Sequence, residues 1–346
     1  MVKGLSIVTV ATGLAAICSS VAAAVSAGSA HRPVVMWHGL GDDYKSDGME
    51  RVAAVIKEKY PDIFIHSIYL DEDPEKDSKA TLVGNLNEEL ELVYEQLNGI
   101  PELQDGFDAL GFSQGGLFFR GYIERYSSPK VYNLVTFGSP QNGVADFPPC
   151  SDFFCRRRNA VIKTQAYTAY AQNELTVAQY YRDPKRYEQY LEMSGFLADI
   201  NNERPDKNET YACQIADLEK LVLYMFTEDT TVNPKESAWF ADEDFETGDI
   251  IPLQERDLYK QDWIGLKSLA ERGALEMLTL EGRHMNITNE TVEFVARHYL
   301  GAPSTLAVPV SSLSSAVETF SADKQAALTR LRLQGLQGII SGFSLL

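Results

Sequence analysis

Phe107-Asp108-Ala109-Leu110-Gly111-Phe112-Ser113-Gln114-Gly115-Gly116-Leu117, running on to Tyr126, is the stretch on which the reading of this chain turns. Phe107 to Phe112 reads as a strand, and Leu117 to Tyr126 reads as a helix. Between them stands Gly111-x-Ser113-x-Gly115, with Gly116 added. A serine on a sharp strand-to-helix turn has its hydroxyl presented to a ligand, and small residues on either side let the turn close. The N-terminus of the following helix favours developing negative charge. The spacing alone recurs by chance in long chains; its place between a strand and a helix gives it weight.

Upstream, Val34-Val35-Met36-Trp37 reads as a buried strand stopping at the loop His38-Gly39-Leu40-Gly41-Asp42. Met49, Val52, Ala53 and Ile56 then fall at helical spacing behind the caps Ser46 and Asp47. Ile63 to Leu70 is predicted as a second strand. Leu82, Leu86, Leu90, Val93 and Leu97 are predicted on one face of a long helix. Downstream, Val131 to Phe137 is another strand, after which the rhythm breaks. Residues from about 141 to 218 are rich in Tyr, Asn, Gln and charge, and predict an inserted, largely helical cap. The rhythm resumes with Leu221 to Phe226, ending in Thr227-Glu228-Asp229. It finishes with Ala274 to Leu280, the loop Gly282-Arg283-His284 and a helix from Thr291 to Tyr299. This alternation implies an α/β class protein, a mostly parallel sheet with helices on both faces.

A serine hydroxyl is a weak nucleophile and needs a base held by an acid. Around an elbow of this kind the chain order is serine, acid, histidine, the α/β-hydrolase arrangement. Only His284 and His298 follow Ser113. His298 lies inside the last helical pattern, whereas His284 sits in the loop after the last strand, so His284 is the expected base. Asp229 is the expected acid, directly after a strand and with a shorter side chain than its neighbour Glu228. An oxyanion hole needs two backbone N–H donors. Gln114, next to the nucleophile, supplies one, and the Gly-rich loop supplies the other through Leu40. His38 precedes Ser113 and reads as a structural residue of that loop.

The bulk numbers set the limits. The chain has 346 residues, 45% apolar and 23% charged, enough for one large domain, predicted over 31–301 with the cap inserted. Its net charge of −18 argues against nucleic acid as a partner and makes anionic membranes poor ones. Lys3, an apolar Ala-rich core and then small residues read as a signal peptide over 1–27, cleaved between 24 and 30. No other stretch is long and apolar enough to span a membrane. Cys18 falls in that leader. Cys150 and Cys155, flanked by Pro148 and Pro149, suit a loop disulfide in a secreted chain, leaving Cys213 over; three buried thiols is the other reading. No metal and no cofactor is implied. Of three glycosylation sequons, at Asn208, Asn286 and Asn289, Asn208 stands in the most polar stretch. From residue 302 to 346 a Pro/Ser-rich linker leads to a short helical pattern, an extension of the domain.

The chain resembles the palmitoyl-protein thioesterase family, the lysosomal type in particular. Beyond the elbow, the likeness lies in Trp37-His38-Gly39-Leu40-Gly41-Asp42, Tyr181-Arg182-Asp183-Pro184 and Phe196-Leu197-Ala198-Asp199-Ile200-Asn201. It continues in Asp229-Thr230-Thr231-Val232, Ile251-Pro252-Leu253-Gln254-Glu255 and Gly265-Leu266-Lys267. It runs from about Arg32 to Leu300. The resemblance implies hydrolysis of long-chain acyl thioesters on S-acylated proteins or peptides, in the lysosome or vacuole or after secretion. It implies Ser113 as nucleophile, Asp229 as acid and His284 as base. It also implies a Cys150–Cys155 disulfide and a glycosylated Asn208. Asn233, where the family commonly has Asp, and Arg283, in place of an acidic residue, depart from the pattern, and several family cysteines are missing. A carboxylester lipase, or a lipid-binding protein without turnover, would share the same fold.

Overall fold

The computed structural model describes residues 30–147 and 153–303. The predicted apolar runs become β1 (Val34–Trp37), β2 (Ile65–Ser67), β3 (Phe107–Phe112), β4 (Val131–Phe137) and β5 (Lys220–Phe226). A short hairpin of β6 (Asp242–Glu243) and β7 (Ile250–Ile251) follows, and then β8 (Leu275–Leu280). The large sheet runs β2-β1-β3-β4-β5-β8, with every neighbouring pair parallel. Between the first four strands lie α1 (Asp47–Lys59), α2 (Pro74–Ala80) and α3 (Leu86–Asn98), and α4 (Gln114–Arg125) leaves β3. The excursion from β4 to β5 holds α5 (Phe153–Gln165), α6 (Ala169–Glu174), α7 (Tyr187–Met193), α8 (Leu197–Ile200) and α9 (Glu209–Ala216). After β5 come α10 (Asp257–Lys260), α11 (Leu266–Glu271) and α12 (Asn289–Tyr299).

Strand side chains alternate between faces, and here both faces are covered. Val35, Trp37, Phe107, Ala109, Leu221 and Leu223 pack with α3 and α4. Val34, Met36, Leu110, Phe112, Val222 and Tyr224 pack with Met49, Val52 and Ile56 of α1 and with Val292, Val295 and Ala296 of α12. That is why β1 reads as a continuous apolar run and β3 as one broken only by Asp108, which is buried against Arg32 and Asn133.

Two expectations are corrected. The second strand is confined to Ile65–Ser67 instead of filling 63–70. Leu82 does not extend the face of α3. The Asn85 side chain caps that helix by accepting from the Asn87 N–H, and the backbone before it pairs elsewhere. Gly84 N–H donates to the Glu174 carbonyl and Thr176 N–H to the Leu82 carbonyl, leaving Leu82 and Val83 exposed. Of the excursion's helices, α9 packs against α4 and α11.

Buried charge ties the excursion to the sheet. Arg120 of α4 donates to the Gln141 and Ile200 carbonyls, to Asn201 Oδ1 and to Glu124. Further out, the Glu203 carboxylate accepts from Arg182, Arg256 and Tyr190, and Arg182 also pairs with Asp242 of β6.

Candidate active site

Ser113 is the turn between β3 and α4. Its backbone sits at φ 50°, ψ −122°, outside the regions L-residues favour. The turn is held from both sides: Ser113 N–H donates to the Phe137 carbonyl, and Gly116 N–H donates to the Ser113 carbonyl. The glycines answer to close approach. A β-carbon on Gly111 would fall 2.3 Å from the Gly116 Cα, and one on Gly115 would fall 2.3 Å from the Trp37 carbonyl oxygen. The helix thus starts directly against the end of β1, which brings the loop after that strand to the serine.

His284 stands in the loop after β8, partly buried, with Phe226 edge-on to its ring. Its Nε2 is 2.9 Å from Ser113 Oγ and its Nδ1 is 2.6 Å from Asp229 Oδ2. A carboxylate only accepts, so Nδ1 carries the proton and Nε2 is left to accept from the serine hydroxyl. Asp229 is buried, and its other oxygen accepts from the Thr231 and Val232 N–H groups at 2.8 and 3.1 Å. These bonds fix the carboxylate without consuming the oxygen that faces His284. Glu228 is exposed, and His298 lies on α12 with its Nδ1 on the Phe294 carbonyl.

The loop after β1 runs against Ser113: a β-carbon on Gly39 would meet Ser113 Cβ at 3.1 Å. Leu40 is 41% exposed and lines the cavity beside Ser113, and Gln114, which follows Ser113 in the chain, is 2% exposed. His38 is buried with its Nε2 3.0 Å from Asp77 Oδ2. Over the serine opens a cavity of about 290 Å³ whose apolar walls are unassigned by sequence reasoning. Met49 and Val52 come from α1, Val144, Phe147 and Val177 from the excursion, and Ile287 from the loop after His284.

Asn208 is exposed and caps α9, its Oδ1 accepting from the Thr210 N–H and hydroxyl. Asn286 and Asn289 are exposed as well. Cys150, one half of the expected Cys150–Cys155 pair, lies outside the described residues, as do the leader over 1–27 and the extension beyond 303. Cys213 is exposed, not a buried thiol. Among the described residues no helix is long and apolar enough to cross a membrane.

A parallel sheet in this order, with a serine elbow after β3, defines an α/β-hydrolase. Comparison with known proteins narrows the class. Residues 33–284 match the family described as palmitoyl protein thioesterase. Palmitoyl-protein thioesterase 1 of Caenorhabditis elegans is 38% identical over 74% of this chain and 87% of that protein. Palmitoyl-protein thioesterase 3 of Dictyostelium discoideum is 36% identical over 76% of this chain and 89% of that protein. The lysosomal thioesterase PPT2 homolog of Drosophila melanogaster is 29% identical over 75% and 85%. The chain belongs to the palmitoyl protein thioesterase family.

Proposed function

We propose that this chain hydrolyses long-chain fatty acyl thioesters, freeing S-acylated cysteines of proteins or peptides, with Ser113, His284 and Asp229 as its catalytic groups. The observation that carries the assignment of groups is the single line of bonds from Ser113 Oγ through His284 to Asp229. His284 Nε2 takes the hydroxyl proton as Ser113 Oγ attacks the thioester carbonyl carbon. The N–H groups of Leu40 and Gln114 receive the oxyanion. The carbon–sulfur bond breaks, the cysteine sulfur takes the proton from His284, and the acyl group stays as an ester on Ser113. Water then gives a proton to His284 and attacks that ester, and the fatty acid leaves as Ser113 regains its proton. A thiolate is a good leaving group, so its protonation matters less here than in amide cleavage. The apolar cavity suits an acyl chain, which needs dispersion contacts and no hydrogen bonds.

We read the excursion between β4 and β5 as a cap whose inner residues, Val144, Phe147 and Val177, roof that cavity. Passage through the secretory pathway to a lysosome or vacuole, or secretion, is the matching location. The predicted leader, the exposed sequon at Asn208 and the lysosomal relative support it.

The test compares matched palmitoyl thioester and oxygen ester substrates on wild type and His284→Ala. The thioester is hydrolysed faster, and the substitution lowers kcat by about 10³-fold or more. A clear preference for the oxygen ester would replace this reading with a carboxylester lipase. Fluorophosphonate labelling no stronger in wild type than in Ser113→Ala would replace it with a lipid-binding protein.

A further inference from the structure

The polar helix α2 contributes nothing to the steps above, yet three of its residues or cap residues close on the loop after β1. The buried Asp77 carboxylate accepts from the Leu70 and Tyr44 N–H groups at 2.7 and 3.0 Å and stands against His38. Ser78 Oγ donates to the Gly41 carbonyl at 2.9 Å. Thr81, the C-terminal cap, accepts the Gly41 N–H on its hydroxyl at 2.7 Å and donates that hydroxyl to the Ser78 carbonyl at 2.6 Å. Gly41, next to Leu40, is therefore held at both of its polar groups.

Thr81 also reaches the other side of the nucleophile. Its carbonyl accepts from Gln114 Nε2 at 3.2 Å, and the Gln114 amide oxygen in turn accepts from the Tyr180 hydroxyl at 2.9 Å. Thr81 and Gln114 are both 2% exposed, so water does not compete for these bonds. One residue thus contacts the loop that carries Leu40 and the residue that follows Ser113. Those two segments leave neighbouring strands, β1 and β3, paired as far as Trp37 and Gly111, and beyond that point their spacing depends on contacts such as these. Oxyanion stabilisation depends steeply on such spacing, because a misplacement of about 1 Å costs on the order of a hundredfold in rate.

We propose that Thr81 is the positioning residue that sets the spacing between the Leu40 and Gln114 N–H groups, joining them through its hydroxyl and its carbonyl. The role rests on the oxyanion reading given under Proposed function. Thr81 does not line the cavity over Ser113, so its loss is expected to show in the transition state more than in substrate binding. Loss of the hydroxyl lowers kcat and leaves the KM for substrate in place.

The experiment uses the full chain and palmitoyl-coenzyme A. Thr81→Val keeps the carbonyl, the branching and nearly the volume, and removes both hydroxyl bonds; Thr81→Ser keeps them. Rates are normalised to active sites counted by end-point fluorophosphonate labelling, with Tm measured alongside. Thr81→Val is expected to lower kcat about tenfold with KM within about twofold, and Thr81→Ser to recover kcat to within about twofold. Ser78→Ala, at a partly exposed position that does not threaten folding, is expected to lower kcat about threefold through the same loop. Wild-type kcat per labelled site in Thr81→Val would overturn the proposal, as would Thr81→Ser no faster than Thr81→Val. Ser113→Ala is run beside them. If it is inactive while Thr81→Val is normal, only the positioning role fails; if it turns over like wild type, the reading of the site fails.

Discussion

Two sets of bonded polar side chains cross this molecule, and they are built in opposite ways. The first is a single file, Ser113 to His284 to Asp229, with the His284 side chain 15% exposed and the serine opening on an apolar cavity. The second is a knot in which Arg182 and Arg256 each pair with both Glu203 and Asp242, and Tyr190 donates to Glu203. Two guanidinium groups face two carboxylates there, so the charge balances. A file with one open end can pass a proton and accept a reactant. A knot whose carboxylates are each engaged by guanidinium groups has no base to offer, but it holds the excursion against the β6–β7 hairpin. The lesson is that paired charge marks chemistry only where a bond is left to be made.

That contrast predicts which measurement each substitution moves. Asp229→Asn keeps the shape of the file but can donate to His284, favouring the wrong tautomer. It is expected to lower kcat on a palmitoyl thioester by about 10³–10⁴-fold with Tm nearly unchanged. Glu203→Gln does the reverse: it leaves buried guanidinium charge unbalanced and is expected to cost about 3–5 kcal/mol, seen as a Tm lower by about 10 °C. Its kcat per labelled active site stays at the wild-type value. A Glu203→Gln enzyme with normal Tm and lost turnover would erase the distinction between file and knot.

The smallest expected effect concerns Glu89 on α3, a carboxyl outside both sets. It is buried with both oxygens unpartnered, and burial, aided by Glu88, pushes it from an ordinary value of 4.5 up to about 8. A group raised on folding is held protonated in the native state. Its contribution to stability is complete below about pH 4.5 and is lost as the pH rises through about 8. Glu89→Gln, neutral at every pH, removes that dependence. Thermal unfolding should show the Tm difference, variant minus wild type, growing in the variant's favour as the pH rises from about 5 to about 8. A gap that does not change with pH would contradict the assignment.

The elbow was readable because its evidence is local: Gly111, Ser113, Gly115 and Gly116 meet steric demands within six residues, after a strand that is apolar except at Asp108. The order of strands then pointed to loops, and Asp229 and His284 stand in them. What escaped is non-local. Val144, Phe147 and Val177 line the cavity from segments with no clean period, and their place depends on buried arginines far along the chain. Helix α2 was missed because its apolar period is absent. The Asp73 cap and Pro74 at its first position were the signal that could have found it. Leu82 misled because it is in helical register with Leu86, while Gly84 and Asn85 between them begin the helix anew.

The central claim is that Ser113 carries the acyl group between two half-reactions. Mass spectrometry of the enzyme quenched during turnover of palmitoyl-coenzyme A tests it most directly. The account predicts a palmitoyl ester on the peptide containing Ser113, absent from Ser113→Ala. Turnover with no acyl-enzyme, or with the acyl group on another residue, would contradict it.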